Sequence, residues 1–200
     1  MTIENDFGEI LTSRYFEIFA TILGLANVIL IIRRSMWNYL FGISMVIAYA
    51  LLFYGVRLYS DALLQVFFLI IQIFGIYWWL KGRDQSGRVR VIDMPAPLAL
   101  FSAILAAAGA VALGHVMATR TDADLPYWDA CTTVLSMAAQ TLMARRYLQS
   151  WLVWIVVDVM AIGIYFTKGL YPTAALYTLF LGLAVIGYVQ WRRSMNAAPA

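Results

Sequence analysis

Seven stretches of mainly apolar residues run along this chain, at roughly residues 15–32, 36–56, 61–80, 95–118, 127–144, 150–167 and 171–191, with charged or turn-forming residues in each gap. About 20 apolar residues carry a helix across the hydrocarbon core of a bilayer, so each stretch predicts a spanning helix. The first three and the last three are copies of one unit. Tyr15, Thr21, Leu23, Arg33 and Arg34 return 112 residues later as Tyr127, Thr133, Leu135, Arg145 and Arg146, while Leu58, Tyr59, Leu64, Gly75 and Trp79 return as Leu170, Tyr171, Leu176, Gly187 and Trp191. Between these blocks the best residue matches slip to an offset of 114, pairing Trp37 with Trp151 and Gly55 with Gly169.

The fourth stretch, led by Pro95 and Pro97 and rich in alanine, has no partner and reads as a linker. The expected architecture is an all-α integral membrane protein of seven transmembrane helices. A first three-helix repeat over 15–80 and a second over 127–191 are joined by a linker helix over 95–118. One extra crossing returns the chain to its starting side, so the repeats run parallel, the arrangement of SWEET-like carriers, with the expected site between the copies.

Basic residues set the orientation. Arg33, Arg34, Lys81, Arg83, Arg88, Arg90, Arg145, Arg146, Arg192 and Arg193 fall in alternate connections and the C-terminal tail, against Arg14, Arg57, Arg120 and Lys168 on the other side. This bias predicts a multi-pass protein of the bacterial inner membrane with its N-terminus outside and its C-terminus in the cytoplasm.

Composition changes the picture little. With 63% hydrophobic and 12% charged residues and a mean hydropathy of +0.78, the chain needs a lipid bilayer as solvent. The net charge of +3 is accounted for by topology, and no nucleic-acid partner is expected. Glu4, Asp6 and Glu9 are opposite in sign to the leader of a signal peptide, so the first span is expected to be retained. Cys131 stands alone, which leaves no internal disulfide and no multi-cysteine metal cluster.

Polar side chains inside spans are expensive in hydrocarbon and mark faces that meet a partner helix or a wet cavity. Asp129, Thr132, Thr133, Ser136 and Gln140 form one stripe on the fifth span, and Trp151, Trp154, Asp158 and Tyr165 form another on the sixth. Asp61, Gln65, Phe68, Gln72 and Gly75 share a face of the third span, as Glu17, Thr21 and Gly24 do on the first. The small residues among these also suit close helix packing. Asp61, Glu17 and Asp129 sit where interfacial solvation or a helix N-terminus accounts for them, and Trp37, Trp78, Trp79, Trp128 and Trp191 where an aromatic belt does.

Asp158 is different, being central to its span and flanked by indole and phenol rings. A carboxylate so placed answers the charge of an organic cation whose ring stacks on the aromatics. At the 114 offset its counterpart is Ser44, with Leu40 and Leu51 opposite Trp154 and Tyr165, which assigns the chemistry to the second copy. The candidate substrate-binding residues are therefore Trp154, Asp158, Tyr165, Trp151, Gln140, Gln72 and Gln65. His115 is the only histidine, and no metalloprotease, nucleophile-elbow or phosphate-loop motif occurs, so neither enzymatic activity nor a cofactor is expected.

The run Trp151-Leu-Val-Trp154-Ile-Val-Val-Asp158, followed by Tyr165 and Lys168-Gly-Leu-Tyr171, together with Trp128-Asp129 and Leu64-Gln65-Val-Phe-Phe68, resembles the PnuC family of nicotinamide riboside transporters. The resemblance covers nearly the whole chain. It implies a SWEET-like homotrimeric carrier that passes a vitamin precursor down its gradient by alternating access, with a cytoplasmic kinase trapping the cargo by phosphorylation. Family members similar in fold differ in cargo, and nicotinamide riboside members carry asparagine where this chain has Asp158. Nicotinamide riboside and thiamine are both aromatic cations with hydroxyl tails, so nicotinamide riboside is the first expectation and thiamine the second. A membrane receptor that binds without transporting is the rival class.

Overall fold

The computed structural model describes residues 14–55, 59–84 and 87–197. Glu4, Asp6, Glu9, Arg57 and Leu58, invoked above, lie outside them, as do the side chains of Arg14, Glu17 and Tyr59. Among the described residues seven helices follow one another: α1 (Arg14–Ile32), α2 (Asn38–Gly55), α3 (Tyr59–Lys81), α4 (Ala96–Arg120), α5 (Pro126–Ala144), α6 (Ser150–Thr167) and α7 (Tyr171–Asn196). Among the described residues the only extended pairings are the isolated bridges Arg83 to Val89 and Ile92 to Tyr147. Five helices among the described residues, α2, α3, α4, α6 and α7, are long and apolar enough on their own to cross a membrane. The others, α1 and α5, open their repeats, and the polar stripe of α5 is what lowers its hydropathy.

Compact packing divides the chain at Val89 and Arg90. In the first unit α2 packs against both α1 and α3. In the second, α6 packs against α5 and α7, and α4 lies along α5. The unpaired helix therefore belongs with the second repeat. Gly114 of α4 allows this approach, since a Cβ there would overlap the ring of Tyr127.

The helices fix the register of the duplication. The starts of α1, α2 and α3 recur as those of α5, α6 and α7 at a constant offset of 112. The slip to 114 is thus overturned: Trp151 corresponds to Tyr39, not Trp37. Trp37 is 67% exposed and Trp151 only 2%, while Tyr39 meets Trp79 edge-on at 5.4 Å and 82°, as Trp151 meets Trp191 at 5.4 Å and 89°. Matching by residue identity paired two tryptophans in different environments.

Local chemistry at the turn holds this register. Arg34 and Arg146 both take left-handed backbone, at φ 56° and 68°. Each closes the preceding helix in a Schellman turn, with Ser35 N–H donating to Leu30 O at 2.9 Å and Tyr147 N–H donating to Leu142 O at 3.0 Å. Three residues after each turn start, a buried side chain returns to the backbone: Asn38 Nδ2 donates to Ser35 O at 2.6 Å and Ser150 Oγ to Tyr147 O at 2.7 Å. The guanidinium of Arg34 donates to Val89 O, and that of Arg146 to Arg90 O, each at 3.2 Å. Burial and the like charge of Arg88 hold the Arg34 guanidinium below its ordinary pKa, with Asp84 acting in the opposite direction.

Candidate substrate-binding site

Within the second unit, α6 presents Trp154, Asp158 and Tyr165 along one face. The helix is apolar from Trp151 to Val157, and its β-branched run is tolerated because it packs between α5 and α7. Asp158 is 4% exposed, and among the described residues no donor reaches its carboxylate. An ionised group so placed is normally paired or hydrogen-bonded. Trp154 and Tyr165 are half-buried. The Tyr165 ring lies 5.2 Å from that of Tyr177 on α7, which in turn meets Phe180 at 6.1 Å. An aromatic wall therefore extends from α6 onto α7.

Trp151 is placed in the helix interface. Its ring lies over Gly187 so closely that a Cβ there would sit 2.6 Å from Cη2 and Cζ2, and it stands perpendicular to the Trp191 ring. This contact sets the angle and rotation of α6 against α7, and hence the face on which Trp154 and Asp158 emerge. Gln140 is half-buried on α5, next to the fully buried Ala139.

The other two predicted residues lie on α3 in the first unit. Gln72 is 4% exposed. Gln65 is half-buried, and its Oε1 is cut off from solvent without a hydrogen bond. Gln72 faces Gly42 of α2, beside Asn27 of α1. Asn27 went unremarked in the sequence because it sits at the edge of the stripe formed by Glu17, Thr21 and Gly24. An asparagine inside an apolar span was the available signal.

The corrected register changes what the copies exchange. Asp158 corresponds to Val46, Trp154 to Gly42 and Tyr165 to Phe53, in place of Ser44, Leu40 and Leu51. Conversely, Asn27 and Gln72 correspond to Ala139 and Ala184. One unit carries buried amides where the other carries alanine, and the other carries an acid and an indole where the first has valine and glycine. The shared scaffold consists of the arginine turns and the edge-on aromatic pairs.

Comparison with known proteins shows which family shares this fold. The model of the family described as nicotinamide mononucleotide transporter matches residues 14–193. The chain is 28% identical to the nicotinamide riboside transporter PnuC of Escherichia coli strain K12, over 90% of this chain and 86% of that protein. It is 27% identical to the PnuC of Neisseria mucosa, over 87% and 70%, and 27% identical to the riboflavin/roseoflavin transporter RibM of Streptomyces davaonensis, over 92% and 91%. The crystal structure of the vitamin B3 transporter PnuC superposes with a TM-score of 0.75 at 24% identity, covering 91% of this chain and 82% of that one, and shares its fold. With a family model that matches nearly its whole length, this chain belongs to the nicotinamide mononucleotide transporter family.

Proposed function

We propose that the protein carries nicotinamide riboside across the bacterial inner membrane by facilitated, alternating-access transport. The observation that carries this reading is Asp158, a buried carboxylate with no donor among the described residues, on the same helix face as Trp154 and Tyr165. A pyridinium cation supplies the missing positive charge, and its planar ring suits the indole and phenol faces. The relatives named for nicotinamide riboside support the cargo. RibM offers riboflavin, but a neutral flavin leaves the carboxylate unanswered. Thiamine, also a cation with an aromatic ring that Asp158 would answer, is the second reading.

Trp154, Asp158 and Tyr165 contact the ring in this reading, with Gln140 supplying a hydrogen bond, while Gln72 and Gln65 are candidate polar contacts within the first unit. Trp151 serves from behind, by holding α6 on α7. No nucleotide or coupling ion is required. Homotrimeric assembly and trapping by a cytoplasmic kinase belong to the same reading on the strength of the family resemblance.

Uptake of labelled nicotinamide riboside into proteoliposomes tests it. The expected result is saturable flux without ATP or an ion gradient, accelerated by unlabelled nicotinamide riboside on the far side. Flux of thiamine alone sinks the first cargo and promotes the second, and binding without counterflow marks a receptor.

A further inference from the structure

From Arg90 to Pro95 the chain is non-helical and lies as a strap against the turn that joins α5 to α6. We propose that Gln149 and Asp93 are positioning residues for cargo recognition: their side chains clasp this strap to the start of α6 and so hold the helix that carries Trp154 and Asp158 at its working angle. This role rests on the reading in which α6 binds the cargo, and both residues lie within the second unit.

Four observations support it. The strap is laced to the turn through backbone: Ile92 N–H donates to Arg146 O at 3.1 Å and Leu148 N–H to Ile92 O at 3.0 Å, while Val91 and Met94 are buried. Second, Gln149 stands at the N-cap of α6, yet its side chain does not cap that helix. Both ends of its amide turn to the strap instead: Oε1 accepts from Met94 N–H at 3.0 Å, and Nε2 donates to Asp93 Oδ1. A cap position favours serine, threonine, aspartate or asparagine, whereas the longer glutamine reaches across. Third, α4 packs along α5 rather than α6, so these bonds join the entry of α4 to the start of α6. Fourth, the copies share the arginine contact but not the clasp, because the exposed Trp37 occupies the place of Gln149 in the first copy. The clasp thus accompanies the copy that carries Asp158. At about 1.5 Å per residue, Asp158 lies about 13.5 Å along the helix from Gln149, and a tilt of about 10° at that end moves it roughly 2 Å. A hydrogen-bonded or charge-paired contact does not survive a displacement of that size.

Calorimetry with nicotinamide riboside and with thiamine on detergent-purified full-length protein, read beside a thermal melt, tests the clasp. Gln149→Glu keeps an acceptor for Met94 but sets a second carboxylate against Asp93, and is expected to weaken the cation that the wild type binds at least fivefold. Adding Asp93→Asn reverses the pair, with the new amide donating to the new carboxylate, and is expected to restore affinity to within twofold of wild type. Asp93→Ala, at an exposed position, removes the partner of Gln149 without adding charge. At least a threefold loss is expected from it, and it decides the matter if Gln149→Glu does not fold. A lower melting temperature with affinity within twofold in both single variants makes the clasp a feature of stability alone and overturns the proposal. So does a double variant that binds no better than Gln149→Glu. If the wild type binds neither cation, the cargo reading fails and the positioning role falls with it.

Discussion

A carboxylate near the middle of an apolar helix costs about 2.5–3.5 kcal/mol on insertion scales, and Asp158 adds burial without a donor among the described residues. Replacing it separates its two contributions. Asp158→Asn keeps the shape and removes the charge, so cationic cargo is expected to bind roughly 10- to 100-fold more weakly, about 1.4–2.7 kcal/mol. Removing a buried, unanswered charge is expected to raise the thermal stability of the empty protein. Calorimetry with nicotinamide riboside and with riboflavin, beside a thermal melt, reads both effects. Unchanged affinity for every cation would remove the electrostatic argument. The candidacy of Asp158 was legible in the sequence from its central position alone. Its isolation was not, because no pattern of residues shows which donors a carboxylate fails to meet.

At the scale of elements, α6 and α7 are held by a large residue against the smallest. Trp151 fills the space over Gly187, and Trp191 closes the cluster edge-on. Gly187→Ala places a methyl group within the indole ring's van der Waals radius, so α7 must move or Trp151 must leave its rotamer. The expected cost is about 1–3 kcal/mol, the usual range for overpacking, read as a lower melting temperature in detergent. A shifted α6 also turns Trp154 and Asp158, so weaker cargo binding is expected to accompany it. Spacing placed Trp151 on the face of Trp154 and Asp158 and suggested a ligand contact. Spacing cannot tell a face that meets cargo from the part of it that meets another helix, and only the neighbour on α7 distinguishes them.

At the scale of the molecule, basic residues in alternate connections predict the topology. In a Cys131→Ser background, Arg88→Cys is expected to react with an impermeant thiol reagent only from the cytoplasmic side, and Thr121→Cys only from outside. Both positions are exposed in the connections flanking α4. Labelling of Arg88→Cys from outside would invert the orientation. The two arginine turns show how the repeat is preserved at this scale. Left-handed backbone at Arg34 and Arg146 is uncommon for a residue with a side chain, and here each guanidinium returns a hydrogen bond to the connection at Val89 or Arg90.

By itself the sequence determined the membrane class, the seven helices, the duplication and the candidate acid. Each of these follows from counts of apolar residues, from self-similarity or from one charge in an apolar run, all properties of a one-dimensional string. Tertiary structure decided the register between the copies, the interface role of Trp151, the place of α4 in the second unit and the convergence of Asn27 and Gln72 on Gly42. These depend on which surfaces meet. The 114 offset failed for that reason: residue identity matched two tryptophans, whereas backbone turns and buried caps matched Tyr39 with Trp151.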